Sequence, residues 1–381
     1  MPGPGPAAAG RPHPYRNPHR RASPTMSTAL PAPGPDLIPM RPDERIDPAR
    51  VGAYLAGRLP GAEGTPEVEQ FSGGKANLTY LLRYPGCEYV LRRPPLGPVA
   101  PRAHDMGREY RVLSVLHRAF PYAPRAYLYE ESSEVVGAPF LIMERREGIV
   151  IRNEMPPDLL GRPELYARIS AMLVEVLADL HAVRPEAVGL ERLGRPEGFT
   201  ERQVAGWYQR WEGARTEDSP RFEAVYRWLA GRVPPSQGVS LVHNDFKLDN
   251  VMLAADDPGR PVAVFDWDMC TLGDPLTDLG TLLGYWTEAT DDESRQAFAI
   301  MPSNLPGFLT RAELAERYAA RSGRDLSELA FYETFGLFKI AVIIQQIYVR
   351  WVRGQTRDER FSTFGRRVRG LIDSAHACAG L

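Results

Sequence analysis

Between Phe71 and Met143 the apolar positions come in short runs, each closed by glycine, proline or charge. "LTYLLRY" (78–84), "EYVLRR" (88–93), "AYLYEE" (126–131) and "PFLIMER" (139–145) read as strands. One stretch breaks the rhythm. In "HDMGREYRVLSVLH" Met106, Tyr110, Leu113 and Leu116 recur at helical spacing, which predicts one helix with Glu109 at the edge of its apolar face. From Pro163 onward the period is helical: "ELYARISAMLVEVLADLHAV", "QVAGWYQRWEGA", "GTLLGYW", and the segment from Glu328 to Gly354. That last segment is the longest apolar stretch. Lys339 and the Gln345-Gln346 pair interrupt it, leaving it short of the ~20 apolar residues of a membrane span, so it is expected as a buried core helix. Among the helical segments lie a short strand, "SLVH", and two more, "VML" and "PVAVFDWD", which flank "AADDPGR" as a hairpin.

The order gives an α+β chain. A small sheet unit with one helix (46–147) precedes a larger, mainly helical unit (148–381), with a hinge near "ERREGIV". Residues 1–45 are too rich in Pro, Gly and Ala to bury apolar surface and read as a disordered tail. No apolar run follows Arg20-Arg21, which removes a signal-peptide reading, and Met26 is a plausible start.

Composition narrows the classes. With 43 % hydrophobic and 25 % charged residues the chain reads as an ordinary globular protein. Net charge is −2, and four arginines with no acid precede Met26, so the remainder stands near −6. No nucleic-acid partner and no membrane partner are expected. Three scattered cysteines, Cys87, Cys270 and Cys378, fit neither a disulfide framework nor a zinc site, and a cytoplasmic setting is expected.

The candidate chemistry is concentrated in "LVHNDFKLDNVML". The hairpin brings Asn250, at the foot of one strand, toward Asp266, at the end of the other. An amide oxygen and a carboxylate so placed are hard ligands suited to Mg²⁺ that shares its coordination with phosphates. Asp245, five residues before Asn250, lies close without being consumed by the metal. Asp245, Lys247 and Asn250 have the D-x-K-x-x-N spacing of a kinase catalytic loop, the arrangement phosphoryl transfer requires.

Six ordered blocks, "FSGGKANLTYLL", "YVLRRPP", "REYRVLSVLH", "FLIMERREG", "LVHNDFKLDNVML" and "FDWDMCTLGDPLTDLG", cover about three quarters of the chain. Together they resemble the aminoglycoside phosphotransferase/choline kinase-like branch of the protein-kinase-like fold. Within it they most resemble the kinase-like domains associated with acyl-CoA dehydrogenases. The resemblance implies two lobes, ATP and Mg²⁺ as cofactors, and a small-molecule hydroxyl as phosphate acceptor, with hydroxyacyl-CoA compounds among the acceptors it raises. It implies Asp245 as catalytic base, Lys247 at the transferring phosphate, Asn250 and Asp266 as metal ligands, and Glu109 as partner of a phosphate-binding cation. That cation is Arg92, where most kinases have lysine, with Arg93 as the fallback. Ser72, Gly73, Gly74 and Asn77 belong to the nucleotide-covering turn, which lacks the G-x-G-x-x-G pattern. The backbone of Met143, Glu144 and Arg145 would hold the adenine. Asn244 stands where the family usually shows glycine.

His243 reads as a structural hydrogen-bonding residue, since Asp245 already fills the base role. Asp268, Asp274 and Asp278 read as braces or caps, and Trp207, Trp211 and Trp286 as core. The acids Asp274, Asp278, Glu288, Asp291, Asp292 and Glu293 do not converge as a polycationic antibiotic would require. The departures at Arg92 and in the glycine turn leave open a second reading, a nucleotide-binding or scaffold protein with the fold and no turnover.

Overall fold

The structure, a computed structural model, describes residues 37–73, 77–95, 105–297, 299–356 and 358–381. The first lobe is a six-stranded antiparallel sheet: β1 (Leu37–Ile38), β2 (Glu67–Phe71), β3 (Leu78–Tyr84), β4 (Cys87–Arg93), β5 (Ala126–Glu130) and β6 (Phe140–Glu144), in the order β1-β2-β3-β4-β6-β5. Side chains alternate across it. Tyr80, Leu82, Tyr89, Leu91, Phe140 and Ile142 pack on one face with Val51 and Leu55 of helix α1 (Pro48–Leu55). Val90, Leu141 and Met143 point the other way, toward helix α2 (Met106–Leu116) and the large core.

Two features of this lobe depart from the sequence reading. Among the described residues the lobe has two α-helices, not one. Helix α1 is only two turns, too short for a clear period, but the side chain of Asp47 accepts from the N–H groups of Ala49 and Arg50, and Pro48 occupies the first turn. The expected tail also ends earlier than residue 45. Leu37–Ile38 pairs with β2, and the Arg41 N–H donates to Gln70 Oε1 at 2.9 Å.

Arg93 explains why residues 41–45 are ordered. It is 1 % exposed on the α1 face, where Nη2 donates to Glu44 O (2.8 Å) and Tyr80 Oη (2.9 Å), and Nη1 to Val136 O. A buried guanidinium needs such acceptors, and the short 3-10 turn Pro42–Glu44 after β1 supplies one.

In the second lobe, α3 (Pro163–Ala182), α4 (Phe199–Ala214), α5 (Pro220–Ala230), α6 (Leu276–Tyr285), α7 (Glu293–Gln296), α8 (Arg311–Ser322), α9 (Leu329–Val352) and α10 (Phe364–Cys378) surround two small β units. The hinge strand β7 (Ile149–Val150) joins the hairpin β9 (Val251–Leu253) and β10 (Pro261–Val264) in the order β10-β9-β7, while β8 (Ser240–Val242) pairs with β11 (Thr271–Gly273). Among the described residues α9 alone is long and apolar enough to cross a bilayer. More than half of that stretch is buried against its neighbours, and it serves as the core helix of this lobe. Helices α6 and α9 meet backbone to backbone: a Cβ on Gly280 would lie 2.0 Å from Tyr332 O, and one on Gly336 2.1 Å from Gly280 O. Trp207, Trp211 and Trp286 are core, as expected.

Replacing Arg93 by methionine leaves the Val136 carbonyl without its donor and takes one of two donors from the Glu44 carbonyl, which keeps the Tyr80 phenol, so Arg93→Met should lower unfolding free energy by about 2 kcal/mol. Chemical denaturation checks this, and an unchanged midpoint would show that Arg93 is not the anchor of residues 41–45.

Candidate active site

The loop between β8 and β9 is held from three sides. The N–H groups of His243 and Asn244 donate to the two oxygens of Asp278, on α6, at 2.5 and 2.7 Å. Nζ of Lys339, on α9, donates to the Asn244 carbonyl. The His243 ring donates from Nε2 to Phe265 O (2.8 Å) and accepts at Nδ1 from the Asp245 N–H (3.3 Å). Those two bonds suit a neutral imidazole, and burial lowers the His243 pKa despite the nearby acids Asp278 and Asp245. His243 is therefore structural, as its sequence context implied. Asn244 has φ 67°, in the left-handed region that glycine and asparagine tolerate best, which accounts for asparagine in the usual glycine position.

The strained turn delivers Asp245 into a cleft of about 750 Å³ between the lobes. Oδ2 of Asp245 accepts from Lys247 Nζ and, at 3.2 Å, from Asn250 Nδ2, while Oδ1 accepts from Tyr285 Oη at 3.3 Å. Asn250 Nδ2 also donates to the Asp245 carbonyl (2.8 Å), so both amide protons face the loop and no hydrogen bond engages its side-chain oxygen among the described residues. The Phe265 N–H donates to Asn250 O at 2.8 Å, which stitches the residue before Asp266 to Asn250. Asp266, like Asn244, is left-handed (φ 70°).

Across the cleft Arg92 sits on the α2 face of the sheet, opposite to Arg93. Its Nε lies 3.0 Å from Glu109 Oε2, and its Nη2 bonds Asp266 Oδ1. The sequence placed Glu109 at the edge of the apolar face of α2; it is fully buried, because Val112 rather than Tyr110 completes that face. Burial pushes Glu109 up to about 7 against the opposing pull of Arg92. Burial also raises Asp268, to about 6, with Asp266 adding to the shift. Asp266 itself titrates low: Arg92 and Lys247 outweigh the effect of burial. Five carboxylates, Glu109, Asp245, Asp249, Asp266 and Asp268, thus lie around two cations, Arg92 and Lys247, an excess of negative charge that suits a divalent ion. Among the described residues no three of His, Cys, Asp and Glu form a metal centre by themselves. The donor set fits Mg²⁺ held by Asn250 and Asp266 and sharing its coordination with phosphates.

The remaining expected positions are distributed around the cleft. Gly73 and Asn77 line it, Ser72 adjoins it, and Gly74 lies outside the described residues. The Arg152 guanidinium packs over Gly73, where a Cβ would displace it. Met143, Glu144 and Arg145 also line the cleft. Met143 and Glu144 end β6, and the Glu144 N–H donates to Arg125 O at 2.8 Å.

A family profile described as "Phosphotransferase enzyme family" matches residues 67–332. The chain belongs to the phosphotransferase enzyme family. Among solved structures, this phosphotransferase is similar to a putative aminoglycoside phosphotransferase from Ralstonia eutropha JMP134. The identity is 30 % and the TM-score 0.75, over 88 % of this chain and 99 % of that one. The fold is shared with APH(4)-Ia in a ternary complex with AMP-PNP and hygromycin B (18 % identity, TM-score 0.55, 86 % and 98 % covered). Among curated proteins the phosphotransferase is 31 % identical to "Acyl-CoA dehydrogenase family member 11" of Gallus gallus, over 89 % of this chain and 44 % of the relative. It is 30 % identical to "Acyl-CoA dehydrogenase family member 10" of Mus musculus, over 90 % and 32 %. The chain spans less than half the length of these relatives.

Several residues in or behind the phosphotransferase cleft are not marked in the sequence. Tyr285 and Lys339 carry no motif, although a lysine in the apolar run of α9 was a signal of a buried partner. Ile340, Ile344 and Ile347 recur at i, i+4 and i+7 and line the cleft together with Ile343. As for the acids, Asp274 caps α6 and accepts from Tyr332 Oη (2.8 Å), while Glu288 and Asp291 are spent on Arg311.

His181, on α3, bonds Tyr318 Oη (2.7 Å) and Asp278 (3.3 Å), and burial, the largest influence, holds its pKa below 6.5. Such a histidine adds stability above its unfolded pKa that is lost as pH falls toward its folded value. The melting temperature should decline between about pH 6.5 and 5, and His181→Gln should make that decline shallower; parallel slopes in thermal melts would exclude the coupling.

Proposed function

We propose that the chain is an ATP- and Mg²⁺-dependent kinase that phosphorylates a hydroxyl on an apolar, anionic small molecule, a hydroxyacyl-CoA compound by preference. The observation that carries this reading is the convergence of Asp245, Asn250 and Asp266 with the Arg92–Glu109 pair on one cleft. In this reading Asp245 accepts the acceptor's proton while that oxygen bonds the γ-phosphorus and the bond to the bridging oxygen breaks, releasing ADP. Lys247 neutralises charge beside it, and Arg92, aligned by Glu109, holds phosphate oxygens as a fork rather than a point charge. Mg²⁺ on Asn250 and Asp266 would offset the charge of the phosphates when bound.

The acceptor class rests on the far end of the cleft. Ile340, Ile343, Ile344 and Ile347 form an apolar wall with Phe364 and Leu371, and Arg295, Arg360 and Arg367 stand among them. An acyl chain suits that wall, and an anionic carrier suits arginines of which Arg295 and Arg360 are also paired with Asp291 and Asp358. Acceptor screening by ADP release should find turnover with hydroxyacyl-CoA thioesters and little with hygromycin B. The reverse order would sink the acceptor reading.

Asp245→Asn should lower turnover by roughly 10³-fold while Mg-ATP still binds. Asp266→Ala should weaken Mg-ATP binding by about tenfold or more in calorimetric titration. Near-normal turnover in the first variant removes Asp245 from the base role, and unchanged affinity in the second removes Asp266 from the metal. Arg92→Ala should raise KM for ATP and lower kcat, with Arg92→Lys intermediate because the lysine restores charge without the fork; equal values in all three proteins would leave the nucleotide held without this cation.

A further inference from the structure

Asp245 has one oxygen turned to its own loop and one to the cleft. Oδ2 is occupied by Lys247 and Asn250, whereas the sole partner of Oδ1 among the described residues is the Tyr285 phenol. At 3.3 Å that bond is long for O–H···O, and a long bond is a weak one. A phenol and an aliphatic alcohol present the same group, an O–H donor, to a carboxylate.

The surroundings fix the backbone of Tyr285, while its phenol makes no hydrogen bond among the described residues besides the long one to Asp245. Tyr285 is the last residue of α6, and Arg295 Nη2 donates to the carbonyls of Leu283 and Trp286 on either side of it, each at 3.2 Å. The Trp286 indole N–H donates to Leu309 O at 2.8 Å. Lys247 Nζ stands 5.6 Å from the centre of the tyrosine ring, within cation–π range. Tyr285 lines the same cleft as the isoleucine wall of α9.

We propose that the Tyr285 phenol stands in for the acceptor hydroxyl: it occupies the proposed base until an acceptor displaces it, and it thereby selects alcohols over water. This rests on the phosphotransfer reading above. Any kinase faces a competing reaction in which water's oxygen bonds the γ-phosphorus, the bond to the bridging oxygen breaks, ADP and inorganic phosphate leave, and the proton passes to Asp245. Water entering alone must break the phenol bond with only its own hydrogen bond in return. An acceptor with an apolar body also buries surface against the isoleucine wall, and that remote binding energy displaces the phenol. Discrimination between two nucleophiles of the same chemical kind then comes from the body of the acceptor.

The test needs no knowledge of the acceptor. Hydrolysis of Mg-ATP is measured without any alcohol in the wild type, Tyr285→Phe, Asp245→Asn and the double variant. Tyr285→Phe keeps the ring and frees Oδ1, and the loss of a competing bond to a charged group should raise hydrolysis by about tenfold. Tyr285→Leu, a second route to the same loss, should move in the same direction, and the rise should vanish in the double variant because it acts through the Asp245 carboxylate. Hydrolysis equal to or below wild type in both Tyr285 variants, each shown to be folded by thermal melt, overturns the proposal, as does a rise that persists without the carboxylate. If the wild type fails to bind Mg-ATP in calorimetric titration, the phosphotransfer reading itself has failed and this inference falls with it. If Mg-ATP binds and the Tyr285 variants hydrolyse it no faster, the inference alone has failed.

Discussion

One guanidinium ties the two lobes together. Arg92 belongs to the sheet, Glu109 to α2 and Asp266 to the end of the β10 strand, residues far apart in sequence that meet at a single planar cation. A lysine is a point charge on a flexible stem, whereas arginine presents separate N–H groups in a fixed fork and can hold two carboxylates at once. Burial would drive a lone Glu109 toward its neutral form, so the charge of this carboxylate depends on Arg92 remaining beside it. Helix α2 and the cleft's acidic edge are therefore set by the same contact.

Behind that contact lies a second tier of buried polar groups that gives the proposed catalytic loop its shape. Asp278 receives two consecutive backbone N–H groups and a histidine, and Lys339 takes the carbonyl of the left-handed Asn244 between them. None of these side chains needs to touch a substrate. Each satisfies a backbone group that the irregular loop would otherwise bury unpaired, and the group it satisfies adjoins Asp245. The two helices that supply Asp278 and Lys339 are the pair that meet through Gly280 and Gly336, so the rigidity of that crossing is passed directly to the loop.

The same helix α9 carries both functions of the second lobe. Lys339 faces the loop, while Ile340, Ile343, Ile344 and Ile347 line the far end of the cleft. An apolar wall set among arginines differs in character from a cleft suited to a polycation. Four of the six acids that could have served a cationic acceptor are committed elsewhere: Asp274 and Asp278 to the braces, Glu288 and Asp291 to Arg311.

Much of this was legible in the sequence because it depends on local spacing. Strand and helix periods, the hairpin and the D-x-K-x-x-N spacing of Asp245, Lys247 and Asn250 are short-range properties of the chain, and the order of six motif blocks was enough to establish the two-lobed fold. What escaped notice was either too short to have a period or made by residues distant in sequence. Helix α1 has two buried apolar residues beyond Gly52 and a cap. The burial of Glu109 depended on whether Tyr110 or Val112 closed the face of α2. Arg92 and Arg93 are adjacent and chemically identical, so sequence left both as candidates for the cation; alternation across the sheet decided that one faces Glu109 and Asp266 and the other Glu44 and Tyr80. Tyr285 and Lys339 carry no motif at all, because a partner 40 or 95 residues away leaves no trace in local spacing. The sequence by itself determined which elements form and which residues could do the chemistry. Only tertiary packing decided which of them meet, because burial and hydrogen-bond partnership are properties of the folded neighbourhood rather than of the chain.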